Sequence, residues 1–126
     1  MSPILVDTHA LVFRFLEPKR LSRAAALHFK NTRQTFRVSV MSLLEIMFLN
    51  EIGRIEVRTE EISAWIREQD GWEIVPFDAS ILSHSRHVNT RDPFDRVLVA
   101  TALTHGWRLL TRDEWMHEAY PKLAVW

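Results

Sequence analysis

Cysteine does not occur anywhere in the 126 residues. Its absence removes disulfides, thiolate nucleophiles and zinc–thiolate sites together, so any metal must be held by oxygen or imidazole. A chain without cysteine also fits a reducing, cytoplasmic compartment. Glycine (three residues) and proline (five) are sparse. No Walker-type glycine loop, G-x-S-x-G nucleophile elbow or H-E-x-x-H zinc motif is present. No stretch approaches the roughly 18 apolar residues of a membrane span. The start, Met1-Ser2-Pro3-Ile4-Leu5-Val6-Asp7, lacks a basic leader, and its apolar run is too short for a signal peptide. Net charge is missing as well. Sixteen basic residues balance sixteen acidic ones, so a nucleic-acid partner cannot be read from global charge and needs a local patch.

What is there describes an ordinary globular chain. Hydrophobic residues make up 47% and charged residues 25%, which predicts one domain over residues 1–126 with no repeat or linker. Ile4-Leu5-Val6 reads as a strand buried on both faces. Asp7 ends it, and the apolar positions Leu11, Val12, Phe15 and Leu16 predict a helix over 8–16 that Pro18 breaks. Ser22 predicts a cap for a helix from Arg23 to about Thr32. Phe36-Arg37-Val38-Ser39-Val40 alternates as a second strand. Ser42-Leu43-Leu44-Glu45 has a capping-box pattern, opening a helix to about Glu51. Thr59 is expected to cap a helix through Ile62, Trp65 and Ile66. Trp72 to Val75 is a third strand, Asp78 caps a short helix, and 84–91 reads as a loop. In Asp92-Pro93-Phe94-Asp95, Asp92 is the expected N-cap and Pro93 the first helical residue, which puts Asp95 in the first turn of a helix running to Gly106. Arg108 to Leu110, a short helix after Asp113 and a final strand near Leu123 to Trp126 complete the alternation. It predicts an α/β/α sandwich over a central, mostly parallel sheet.

Four acids stand at related places in this pattern. Asp7, Glu45, Asp95 and Asp113 each fall where a strand-like run gives way to a helix start, and in a parallel sheet those junctions lie along one edge. Each has an ordinary structural explanation as a cap, a capping-box partner or a first-turn acid. Together they would repel one another unless cations neutralise them. Mg²⁺ or Mn²⁺ suits such a set, and a divalent ion there would acidify a water for attack on phosphorus and steady the leaving oxygen.

The blocks Leu5-Val6-Asp7-Thr8-His9-Ala10-Leu11, Ser42-Leu43-Leu44-Glu45-Ile46, Asp92 through Ala102, and Leu110-Thr111-Arg112-Asp113, in this order and spacing, resemble PIN-domain proteins. The likeness is strongest to the VapC-type toxins of bacterial toxin–antitoxin pairs, and it spans nearly the whole chain. It implies a PIN α/β/α fold and an endoribonuclease needing Mg²⁺ or Mn²⁺. By position, Asp7, Glu45 and Asp95 match the family's core metal-binding acids, and Asp113 the fourth, more variable one. Thr111 matches a hydroxyl residue that would orient a carboxylate or water from behind. The likeness further implies a homodimer and a cognate antitoxin that blocks the acidic site. Leu49 departs from it, since relatives carry a lysine near this position, which leaves substrate contacts there open.

Other candidates are weaker. His9 lies two residues after Asp7 and would touch substrate or bond locally. Arg91, Arg96, Arg108 and Arg112 flank the acids, and Arg96 and Arg112 are the candidates for holding RNA phosphates. The other histidines show no ligand spacing. Most of the tryptophans and phenylalanines should be core, while Phe13, Phe15, Phe48, Leu49 and Ile52 would form an apolar partner surface. The leading expectation is therefore a metal-dependent ribonuclease. Its alternatives are a non-catalytic PIN-like binding module, or a phosphatase or DNA nuclease using the same ions.

Overall fold

Ile4, Leu5 and Val6 are all fully buried, yet they do not share a core. Alternation along a strand sends Ile4 and Val6 to one side and Leu5 to the other, where each joins a separate apolar cluster. This strand, β1 (Ile4–Val6), is the middle of a sheet. The computed structural model, which describes residues 1–126, adds β2 (Phe36–Ser39), β3 (Trp72–Val75), β4 (Arg108–Leu110) and β5 (Ala124–Val125) in the order β3-β2-β1-β4-β5. Every pairing is parallel, with Ile4 opposite both Phe36 and Arg108.

Parallel strands need crossover connections, and seven helices provide them. The chain runs through α1 (Thr8–Leu16), a 3₁₀ turn (Pro18–Arg20) and α2 (Arg23–Lys30) to β2, then through α3 (Val40–Glu51) and α4 (Thr59–Glu68) to β3. It returns through α5 (Ala79–Ser85) and α6 (Pro93–His105) to β4, on the opposite side of β1, and closes with α7 (Glu114–Ala119) before β5. The order of strands therefore reverses between β1 and β4. At such a switch point the connections leave the sheet in opposite directions and open a crevice at its carboxyl edge.

One face of the sheet packs against α1 to α4, where Leu11, Ile46, Ile62 and Ile66 are buried. The other packs against α5, α6 and α7 around Ile81, Leu98 and Met116. The result is the expected three-layer sandwich. Trp65 and Trp72 meet edge to face at 5.0 Å between ring centroids, and Trp72 lies 4.7 Å from Phe36, so these aromatics are core. Gly106 ends α6 in the left-handed conformation at φ 69°, as its place after His105 predicts. No helix is long and apolar enough to cross a membrane.

Two expected caps shift. Helix α3 begins at Val40, directly after β2, because Ser39 caps it by accepting a hydrogen bond from the Met41 N–H at 3.0 Å. Ser42 is buried inside the helix with no partner for its hydroxyl. Glu45 thus lies in the second turn, where no orphan N–H remains for it to cap. Similarly, α4 is capped from Arg58, whose N–H reaches the Glu61 carboxylate at 3.4 Å, while the Thr59 hydroxyl donates to the Leu43 carbonyl at 3.2 Å. The expected loop at 84–91 begins later, since α5 continues to Ser85.

Candidate metal centre

Asp7 stands at the switch point. Its own N–H bonds the Leu110 carbonyl at 3.0 Å, which ties the ends of β1 and β4 together. Its carboxylate caps α1, with Oδ1 accepting from the Thr8 N–H at 2.7 Å. Oδ2 accepts from the Thr111 hydroxyl at 2.6 Å. Thr111 is fully buried, and its oxygen in turn accepts from the Asp113 N–H at 3.1 Å. A relay of short hydrogen bonds therefore fixes two acids from adjacent strand ends against each other.

Asp113 caps α7 through the Met116 N–H at 2.9 Å. Asp95 is the third residue of α6, whose cap is Asp92, accepting from Phe94 and Asp95 at 2.9 and 3.2 Å. No hydrogen bond reaches the Asp95 carboxyl itself. Glu45 comes in from α3. All four acids named from the sequence line one cleft of about 550 Å³ at the carboxyl edge of the sheet.

The electrostatics record this crowding. Burial, and then the charges of Asp92, Asp7, Asp113 and Glu45, push the Asp95 carboxyl up to about 7. Burial likewise raises Glu45, reinforced by the charges of Asp7 and Asp92. Asp7 is raised by burial, against the lowering effect of His9, Thr111 and Thr8. Such a cleft resists carrying its full negative charge unless a cation shares it. The donors are all oxygen, the choice of a hard divalent ion. No three of the acids and histidines meet at one point. A hard divalent ion in this cleft would take one or two carboxylates directly and keep several of its own waters.

His9 does bond locally. Its Nε2 accepts the Arg112 N–H at 3.1 Å, so the proton of the neutral ring sits on Nδ1, facing Asp7 Oδ2 at 3.6 Å. Burial and the nearby Arg112 and Arg20 outweigh Asp7 and lower the His9 pKa, which agrees with that neutral form. The ring also lines the cleft. Arg112 is at the mouth as expected, its guanidinium carbon 4.7 Å from the centre of the Phe13 ring. Arg96 is not. It lies on the other side of the first turn of α6, its Nε donating to the Val88 carbonyl at 3.4 Å, because consecutive helical residues diverge by about 100°.

Sequence reasoning missed Arg20 and Arg54, which also line the cleft. Arg20 covers Phe13 from 4.3 Å, so that ring lies against two guanidiniums. The turn after Pro18 folds Arg20 back over the end of α1, and no spacing rule connects it to Asp7. Leu49, one turn beyond Glu45, forms an apolar part of the wall. Phe13, expected on a partner surface, is buried, whereas Val40, Leu44, Phe48 and Ile52 leave an apolar stripe exposed along α3.

Comparison with known proteins bears on the fold. The family model described as "PIN domain" matches residues 4–121. The chain is 30% identical to ribonuclease VapC22 of Mycobacterium tuberculosis (strain ATCC 25618 / H37Rv), over the full length of both. Among solved structures, VapBC2 of Rickettsia felis, bound to a DNA fragment from its promoter, superposes with a TM-score of 0.73 at 12% identity, covering 98% of this chain and 96% of that one. A toxin–antitoxin complex from Klebsiella pneumoniae gives 0.68 at 19% identity, covering 99% and 97%.

Proposed function

The chain belongs to the PIN domain family, and from that premise we propose that it is a VapC-type ribonuclease, the toxin of a toxin–antitoxin pair, that cleaves RNA in the cytoplasm with Mg²⁺ or Mn²⁺. The observation that carries the reading is the convergence of Asp7, Glu45, Asp95 and Asp113 on one cleft, with Asp95 raised to about 7 by burial and then by its acidic neighbours.

In this reading Asp7, Glu45, Asp95 and Asp113 hold the ion or ions. When bound, a divalent cation supplies an acidified water as nucleophile and charge to stabilise the leaving oxygen of an in-line displacement. The chain's own residues do the positioning. Thr111 holds Asp7 by donating to Oδ2, leaving Oδ1 on the helix N–H, so the carboxylate cannot rotate away. The start of α6 directs backbone N–H dipoles toward Asp95 and favours its charged form once the repulsion is neutralised. Arg112, at the mouth and braced on Phe13, supplies a guanidinium fork for a substrate phosphate. His9 orders the Arg112 backbone from inside the cleft.

The antitoxin partner is supported by the neighbours, whose chains were solved as toxin–antitoxin complexes. The exposed stripe of Val40, Leu44, Phe48 and Ile52 is a surface that an antitoxin helix or a second copy of the chain would cover in a homodimer. The test is cleavage of a mixed, structured RNA pool with Mn²⁺ or with EDTA, and the Asp95→Asn variant alongside. Metal-dependent cutting lost in the variant is expected. No cutting, together with no Mn²⁺-induced rise in Tm, would return the chain to a non-catalytic binding module.

A further inference from the structure

Beside the acid cleft, across the first turn of α6, lies a second hollow of about 490 Å³ lined by Arg86, His87, Val88, Asn89, Thr90, Arg91 and Arg96. Three of its seven lining residues are arginines and none is an acid. The only ion pair between permanently charged side chains joins Arg37 to Glu73, so the three guanidiniums have no carboxylate within 4.0 Å. In a chain of zero formal net charge, that is a local concentration of uncompensated positive charge.

The hollow is also built. Its loop is held by successive turn hydrogen bonds, His87 N–H to the His84 carbonyl, Val88 N–H to Ser85 and Thr90 N–H to Val88, at 3.0 to 3.1 Å. Val88 anchors it in the core, 2% exposed. Arg96 is oriented by its Nε bond to Val88, which leaves its two terminal nitrogens free to donate as a fork.

We infer that the hollow of Arg86, Arg91 and Arg96 is a phosphate-binding subsite that holds the RNA backbone beside the scissile bond. The inference rests on the nuclease reading of the acid cleft. The acids of that cleft outnumber its three arginines, Arg20, Arg54 and Arg112, so further cations beside it would help to hold a polyanion. The two hollows share the first turn of α6, where Asp95 lines one and Arg96, about 100° further round the helix, lines the other. The hollow has one apolar lining residue and no Phe, Tyr or Trp, and its three arginines suit phosphate oxygens.

The test uses the full chain carrying Asp95→Asn to prevent cleavage, with Mg²⁺ present, and follows binding of a short single-stranded RNA by fluorescence anisotropy over a series of salt concentrations. Adding Arg86→Ala and Arg91→Ala together should weaken binding several-fold and make the log–log salt dependence shallower by about 1.4, at about 0.7 for each lost phosphate contact. A single-stranded DNA of the same length should lose binding in parallel, because phosphate contacts carry no sugar or base information. Arg86→Lys with Arg91→Lys should recover part of the affinity and of the slope, and an unchanged Tm in either pair shows that the fold is intact. Unchanged affinity and slope in the alanine pair overturn the subsite alone. A parent that binds no RNA overturns the nuclease reading and the subsite with it.

Discussion

Two strand-to-helix junctions of this molecule look the same in isolation and differ in what they can do. Asp7 follows β1 and Asp78 follows β3, and each accepts a backbone N–H of the helix it opens. Asp78 is exposed and does nothing further: one oxygen accepts from the Ile81 N–H at 2.9 Å. Asp7 is 4% exposed, takes a second bond from Thr111 and lies in a cleft with Glu45, Asp95 and Asp113. The difference is position in the sheet. β3 is an edge strand, whereas β1 meets β4 where the strand order reverses, and only there do loops from several strands converge. Capping chemistry is local, but a metal site needs the topology.

That contrast can be broken by substitution. The largest effect should come from Asp7→Asn, which still caps α1 but removes a charge from the cleft. Cleavage of RNA with Mn²⁺ should fall roughly 10²-fold or more, while Asp78→Asn, also a competent cap, leaves the rate as it was. Equal losses in both would end the distinction between the junctions. Next comes Thr111→Val, which keeps the shape and deletes the hydroxyl between Asp7 and Asp113. Mn²⁺ affinity, read by titrating the rise in Tm, should drop about 10- to 100-fold.

A smaller effect tests the crowding without any metal. The folded state holds the Asp95 proton more tightly than the unfolded chain does, so its penalty is absent below the ordinary carboxylate range near pH 4 and grows as pH rises through about 7. In EDTA, Asp95→Asn should therefore be more stable than the parent at pH 8, by roughly 1–2 kcal/mol after discounting for solvent screening, and no more stable at pH 4. Thermal melts at the two pH values check this, and a constant difference would show that the Asp95 carboxyl is not raised in the folded chain. The smallest effect concerns the caps of α3. Ser39→Ala should cost about 1 kcal/mol, whereas Ser42→Ala, which removes a buried hydroxyl without a partner, should be neutral or slightly stabilising in urea unfolding.

The Ser39 and Ser42 pair also shows how far the sequence can be read. Both are serines before an apolar run, and the Ser42–Glu45 spacing imitates a capping box. The backbone chose Ser39 because β2 passes straight into α3 with no intervening loop. The displacement removes the structural use of Glu45 and leaves its carboxylate to the cleft. Arg96 teaches the converse. Next to Asp95 in sequence, it faces a different hollow, since helix geometry separates neighbours that a list of residues places together.

By itself the sequence determined the strands, most helix starts and the candidate acids, because periodicity, caps and breakers such as Pro18 and Gly106 act over a few residues. The α/β alternation followed from the same short-range signals. Only the tertiary structure decided that β1 and β4 lie side by side, that Thr111 donates to Asp7, and that Arg20 folds over Phe13 at the mouth. The first two join residues far apart in the chain and exist only because burying β1 on both faces forces the carboxyl ends of its neighbours together, whereas the third depends on the turn after Pro18.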